Sequence, residues 1–137
     1  MRKKRVLIVD DNFAVRSMVR QVFELEPEFE VSGEAENGVE ALHKAATLKP
    51  DLIILDLTMP LMTGLDAAPQ LMEILPAARI ILFTVEEGNE VERLARVGGI
   101  HAVVSKQQVA SELVSQAHAL LAFLSEDDDS EDLRDAS

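Results

Sequence analysis

Asp10 and Asp11 close the apolar run Val6-Leu7-Ile8-Val9, and Asp56 closes Leu52-Ile53-Ile54-Leu55. Thr84 ends Arg79-Ile80-Ile81-Leu82-Phe83, and Lys106 follows shortly after Ala102-Val103-Val104. Three carboxylates sharing one crevice repel each other and carry raised pKa values unless something positive joins them. A hard divalent cation suits such an oxygen-only set, and Mg²⁺ keeps water positions that phosphate oxygens can take. Lys106 adds a second positive charge, and the Thr84 hydroxyl can donate to an anion. A carboxylate nucleophile, a metal and two electrophilic contacts are the parts needed to place a phosphoryl group on Asp56, by positioning and charge neutralisation. Singly, each residue has an ordinary explanation: an Asp after a strand is usually a cap or turn residue, Thr84 a strand residue, Lys106 a solvated one. Joint placement at four strand ends favours the cluster.

That placement depends on the elements between the sites. Short β-branched runs alternate with helical patterns, the signature of parallel α/β units. The spacing predicts strands at 6–9, 29–33, 52–55, 79–83 and 102–104. Phe29-Glu30-Val31-Ser32-Gly33 alternates as a strand with one exposed face; Val6-Leu7-Ile8-Val9 is apolar on both faces, as a central parallel strand must be, and the strands at 52–55 and 79–83 read as buried too. Helical periodicity predicts helices over 14–25, 39–48, 65–75, 90–97 and 109–124. Asn37 is a candidate N-cap, Pro69 is expected in a first turn or at a kink, and Gly98-Gly99 closes the fourth helix. Strict alternation implies an α/β, doubly wound, three-layer (βα)5 fold around a parallel five-stranded sheet. In the strand order 2-1-3-4-5 the order reverses between strands one and three, where such sheets bind ligands. Asp10, Asp11 and Asp56 then lie side by side.

Composition narrows the function. The chain has 137 residues, with 13 Lys plus Arg against 25 Asp plus Glu, a formal charge of −12, and 47% hydrophobic residues. This suits one globular domain and argues against a DNA-binding surface, which needs a basic face. With no Cys there are no disulfides or thiolate sites, and with no Trp or Tyr the stacking platforms of single-stranded nucleic-acid binders are missing. No apolar run approaches the length of a membrane span, and only four apolar residues follow the basic start Arg2-Lys3-Lys4-Arg5 before Asp10. A cytoplasmic protein without membrane or direct nucleic-acid contact is expected. His43, His101 and His118 are scattered without ligand spacing, Met59, Met62 and Met72 read as packing residues, and no glycine-rich phosphate loop occurs. Residues 126–137 hold seven acids against one Arg, half of the chain's net −12. They read as a solvated acidic tail after a domain at 1–125.

The pieces "VLIVDD", "PDLIILDLTMPLMTGLD", "IILFT" and "VVSK" resemble the receiver domain of two-component response regulators, the CheY-like family, over roughly residues 4–124. The second piece is the most specific: a strand ending in Asp, then x-x-Met-Pro and x-x-x-Gly. The resemblance implies that Asp56 is the phospho-acceptor and that Thr84 and Lys106 contact the phosphoryl oxygens. Asp10, Asp11, Asp56 and the Thr58 main-chain carbonyl would handle Mg²⁺, and Thr58 and Glu86 would tune the lifetime of the phosphorylated state. A sensor histidine kinase or phosphotransfer protein is the implied donor, and the implied target is a downstream protein. The readout would use the face of the fourth helix, fifth strand and fifth helix, where a homodimer could also form.

The chain departs from the family at three places. Val103 stands where receivers usually carry a Tyr or Phe that turns inward as the Thr moves, so it marks an altered switch position. Gln107 follows Lys106 where a cis-linked Pro is often found, and a trans bond is expected. Gly98-Gly99-Ile100-His101-Ala102 replaces the usual Ala-Gly-Ala-x-Gly. The leading expectation is a non-enzyme signalling switch with self-catalysed phosphorylation and dephosphorylation of Asp56, the acidic tail favouring a stand-alone receiver over one cut from a larger regulator. A phosphohydrolase of the haloacid-dehalogenase type would need an Asp where Thr58 stands. A phosphorylation-independent binding module draws its support from Val103.

Overall fold

A computed structural model describes residues 2–122. The elements are β1 (Lys4–Val9), α1 (Phe13–Glu24), β2 (Phe29–Ala35), α2 (Gly38–Leu48), β3 (Leu52–Leu55), α3 (Gly64–Ile74), β4 (Arg79–Thr84), α4 (Asn89–Val97) and β5 (Ala102–Ser105). A fifth helix, α5, follows over 111–122. The strands form one sheet in the order β2-β1-β3-β4-β5, every pairing parallel. This is the expected doubly wound (βα)5 fold. The acidic tail and Leu124 lie outside the described residues.

Side-chain alternation along the strands divides the core in two. Leu7, Val9, Ile53, Leu55, Ile80 and Leu82 face α2, α3 and α4 through Ala41, Ala45, Ala67, Ala68, Leu71 and Ala95. Val6, Ile8, Leu52, Ile54, Ile81, Phe83 and Val104 face α1 and α5 through Val19, Phe23, Leu113, Val114, Ala117 and Leu121. Burying both sheet faces is why the central strands are apolar throughout.

Four helices start one residue before the position that apolar periodicity marks. Periodicity locates the first buried side chain, whereas the helix begins directly after its cap. The Asn12 side chain accepts from the Val15 N–H at 3.0 Å, Asn37 from the Glu40 N–H at 2.8 Å, and Thr63 from the Asp66 N–H at 3.2 Å. Gly88 precedes α4 without a side-chain cap.

Three expectations are corrected. Of the two places expected for Pro69, the first turn is excluded: it lies in the second turn of α3, with Ala67, Ala68 and Leu71 buried on either side of it, so burial of that face accommodates the hydrogen bond its ring removes. Val109 is 72% exposed and precedes α5, so it is not part of the buried stripe. The third concerns β2, which runs to Ala35 and is not a simple alternation. Val6 pairs with Val31 but Leu7 pairs with Gly33, so Ser32 is an inserted residue whose hydroxyl donates to the Val6 carbonyl at 3.1 Å. Such a bulge reverses which side chains face which layer. Phe29 and Val31 pack towards α1 and α5, whereas Ala35 packs towards α2. Glu34 is thereby turned to the α1 side, where it meets Arg16 and Arg20.

Candidate phosphoryl and metal site

Asp10, Asp56 and Lys106 are each held by one main-chain hydrogen bond beyond the end of a strand. The Asp10 N–H donates to the Ala35 carbonyl at 3.0 Å, the Asp56 N–H to the Val9 carbonyl at 3.0 Å, and the Lys106 N–H to the Thr84 carbonyl at 2.8 Å. Because all strands are parallel, these extensions gather at one rim, and the 2-1-3 order sets Asp10 beside Asp56. Alternation then selects a side. Continuing from Ile8, Ile54 and Val104, residues 10, 56 and 106 follow the α1/α5 parity.

Carboxylate oxygens of Asp10, Asp11 and Asp56 lie within 4.8 Å of one another, Asp10 and Asp56 buried and Asp11 exposed. Lys106 Nζ is 2.7 Å from Asp10 Oδ2 and 3.4 Å from Asp56 Oδ2. Burial works against the Lys106 charge, but the hydrogen bond from its ammonium to Asp10 and the fields of Asp10 and Asp56 outweigh it, so its pKa stands above the ordinary lysine value. Asp56 is pushed up to about 6, first by burial and then by the Asp10 charge, against the opposing pull of Lys106 and a hydrogen bond from the Thr58 main chain. One ammonium therefore does not balance the cluster. An uncompensated, oxygen-only donor set with one exposed member is what a hard divalent cation requires, so the residues present fit Mg²⁺.

Gly64 makes this geometry possible. A Cβ on it would stand 2.2 Å from the Asp56 carbonyl oxygen, because its N–H turns back to the Leu57 carbonyl at 2.8 Å. The intervening loop turns tightly at Leu61, whose φ of 70° accompanies a Met62 N–H to Pro60 carbonyl bond of 2.7 Å.

Thr84 is at the same rim with the other parity. It is fully buried, and its hydroxyl accepts from the Glu86 N–H at 3.2 Å. Thr58 and Glu86 are exposed. Val103 packs against the α2–α4 layer and lines an open groove of about 240 Å³ with Val91, Glu86, Glu87 and Glu92. The Lys106–Gln107 bond is trans, as are all peptide bonds among the described residues. His101 stays exposed, its Nδ1 accepting from the Ile80 N–H at 2.9 Å, while His118 pairs with Glu28; neither belongs to the acidic cluster.

Sequence reasoning passed over Arg16. It is 7% exposed, and its guanidinium donates to the Asp10 carbonyl at 2.7 Å and to Glu34 at 2.9 Å. The signal was its position: three residues before Val19 and seven before Phe23, it occupies the buried stripe of α1, where a cation needs partners.

The sequence model of the response regulator receiver domain matches residues 6–118. The chemotaxis protein CheY of Thermotoga maritima is 48% identical over 79 residues, covering 58% of this chain and 65% of that protein. The nitrate/nitrite response regulator NarL of Escherichia coli is 34% identical over 117 residues, covering 85% of this chain and 54% of that protein. The chain thus spans about half to two thirds of the length of these two relatives. Among solved structures, the response regulator domain of Thermotoga maritima CheB superposes with a TM-score of 0.82 at 31% identity, over 88% of this chain and 98% of that one. With its parallel 2-1-3-4-5 sheet and its acidic rim, this chain belongs to the response regulator receiver domain family of two-component systems.

Proposed function

We propose that this receiver takes a phosphoryl group onto Asp56 from a phosphohistidine of a sensor histidine kinase or phosphotransfer protein in the cytoplasm, and relays the signal by protein–protein contact. The observation that carries the reading is the position of the Asp56 carboxylate, within 3.4 Å of the Lys106 ammonium and clustered with Asp10 and Asp11. In the transfer, an Asp56 oxygen forms a bond to phosphorus as the phosphorus–nitrogen bond to the donor imidazole breaks, leaving an acyl phosphate. In the metal-free protein the ionised carboxylate predominates above pH about 6, and a bound cation favours it further. Lys106 balances charge on the phosphoryl oxygens, and Thr84 offers a hydroxyl from the neighbouring strand. Asp10, Asp11, Asp56 and the Thr58 carbonyl would hold Mg²⁺, which supplies further charge neutralisation. Thr58 and Glu86, both exposed, would tune hydrolysis of the acyl phosphate. Readout, or pairing of two copies, falls to the face of α4, β5 and α5.

Incubation with acetyl phosphate and Mg²⁺ tests the transfer. Wild type should gain ~80 Da, the mass of one phosphoryl group, and Asp56→Ala should not. No gain, under conditions where a control receiver reacts, would overturn the reading.

Val103 favours a second reading, a module whose binding is independent of phosphate. Amide shifts on adding beryllofluoride and Mg²⁺ separate the two. Changes confined to the rim support the module, and changes reaching α4 and β5 support a switch.

A further inference from the structure

Among the described residues, the buried polar or charged side chains are Asp10, Asp56, Thr84 and Arg16. Three belong to the site above; Arg16 is the one still without a role. Its contacts converge on the turn between β1 and α1. The main-chain N–H donates to the Asn12 carbonyl at 3.1 Å, and the guanidinium donates to the Asp10 carbonyl at 2.7 Å. Asn12 closes the same turn by donating its N–H to Asp10 Oδ1 at 2.9 Å. Asp11 sits between these anchors, so the turn's shape decides where its exposed carboxylate points.

The other side of the guanidinium meets Glu34 at 2.9 Å and Glu36 at 3.6 Å. Glu34 is available there only because the Ser32 bulge rotates the end of β2. The two acids take up the Arg16 charge, so what reaches the site is a directed hydrogen bond more than a field. A planar fork can serve a carbonyl and a carboxylate together, which a single ammonium does poorly.

We propose that Arg16 is a positioning residue for the cation site: it clamps the Asp10 carbonyl and thereby fixes the turn that aims the Asp10 and Asp11 carboxylates at Mg²⁺. This rests on the metal-dependent reading given above. Groups that orient metal ligands from behind typically change affinity by about 10- to 100-fold when removed.

The experiment measures Mg²⁺ binding by titration calorimetry at pH 7.5, without phosphodonor, alongside amide exchange of Asn12 in the metal-free protein. Arg16→Met should weaken Mg²⁺ binding roughly 10-fold and speed Asn12 exchange, and Arg16→Lys should recover only part of each. Arg16→Met leaves Glu34 short of a partner, although Arg20 still reaches it at 2.7 Å. The double variant Arg16→Met/Glu34→Gln removes that unpaired charge and should regain thermal stability without regaining affinity. Mg²⁺ affinity within twofold of wild type in Arg16→Met, or affinity restored in the double variant, overturns the proposal. If wild type itself binds no Mg²⁺, the metal reading fails instead. Asn12 exchange then judges the clamp alone: unchanged exchange in Arg16→Met overturns it, and faster exchange supports it.

Discussion

Lys106 Nζ is closer to Asp10, at 2.7 Å, than to Asp56, at 3.4 Å. The ammonium thus closes its tighter pair with Asp10 and only leans on Asp56. Asp56 keeps a carboxylate whose charge is poorly compensated, burial and the Asp10 charge outweighing the pull of Lys106.

Replacing Lys106 by Met should leave Asp10 and Asp56 buried without a cation. Removing one partner of a buried pair costs about 3 kcal/mol, much of it from the charge left behind. Denaturant unfolding at pH 7.5 should show that loss, and millimolar Mg²⁺ should restore more stability to the variant than to wild type. An equal Mg²⁺ response in both proteins would show that the lysine does not share the cation's role.

Asp56 gives the stability a particular pH dependence. Its folded-state pKa of about 6 stands above its ordinary value of 3.8. The folded state therefore holds this proton where the unfolded chain has lost it, and ionised Asp56 costs stability above pH 6. The cost fades as pH falls towards 4. At about 1.4 kcal/mol per unit, the penalty in the metal-free protein is about 3 kcal/mol. Asp56→Asn should therefore be more stable than wild type at pH 8, with the gain disappearing near pH 4 and shrinking in Mg²⁺. Thermal midpoints of the two proteins across that range check the sign; a gain that is constant with pH would assign it to packing.

Gly64→Ala tests the close approach beneath Asp56. A Cβ 2.2 Å from the Asp56 carbonyl oxygen meets backbone, not the yielding end of a side chain. The start of α3 must move away, at a cost of roughly 3 kcal/mol. Labelling from acetyl phosphate should slow in the folded fraction, since the displaced loop carries Thr58. Wild-type rates and wild-type stability together would show that the loop yields freely.

Much of this protein is legible in the order of its residues. Apolar runs such as Leu52-Ile53-Ile54-Leu55 declare buried parallel strands, and Asp56 at the end of one declares an acid at the carboxyl rim of the sheet. Both follow from local rules, the period of two in a strand and the need to bury both sheet faces. Asn37 as a helix cap is legible for the same reason, since its hydrogen bond reaches only to Glu40.

What lay beyond reach involves partners distant in sequence. That Lys106 prefers Asp10 depends on the level at which three strands end relative to one another, and no local pattern encodes register across a sheet. The Ser32 bulge looks like plain alternation until Leu7 is seen opposite Gly33. Arg16 stands on the buried stripe of α1, but its partner Glu34 comes to it only through that bulge. Residue types and spacing determined which chemical groups arrive at the rim. Packing of the sheet against its helices decided their distances, because a side chain's partners are set by the whole core that holds both ends in place.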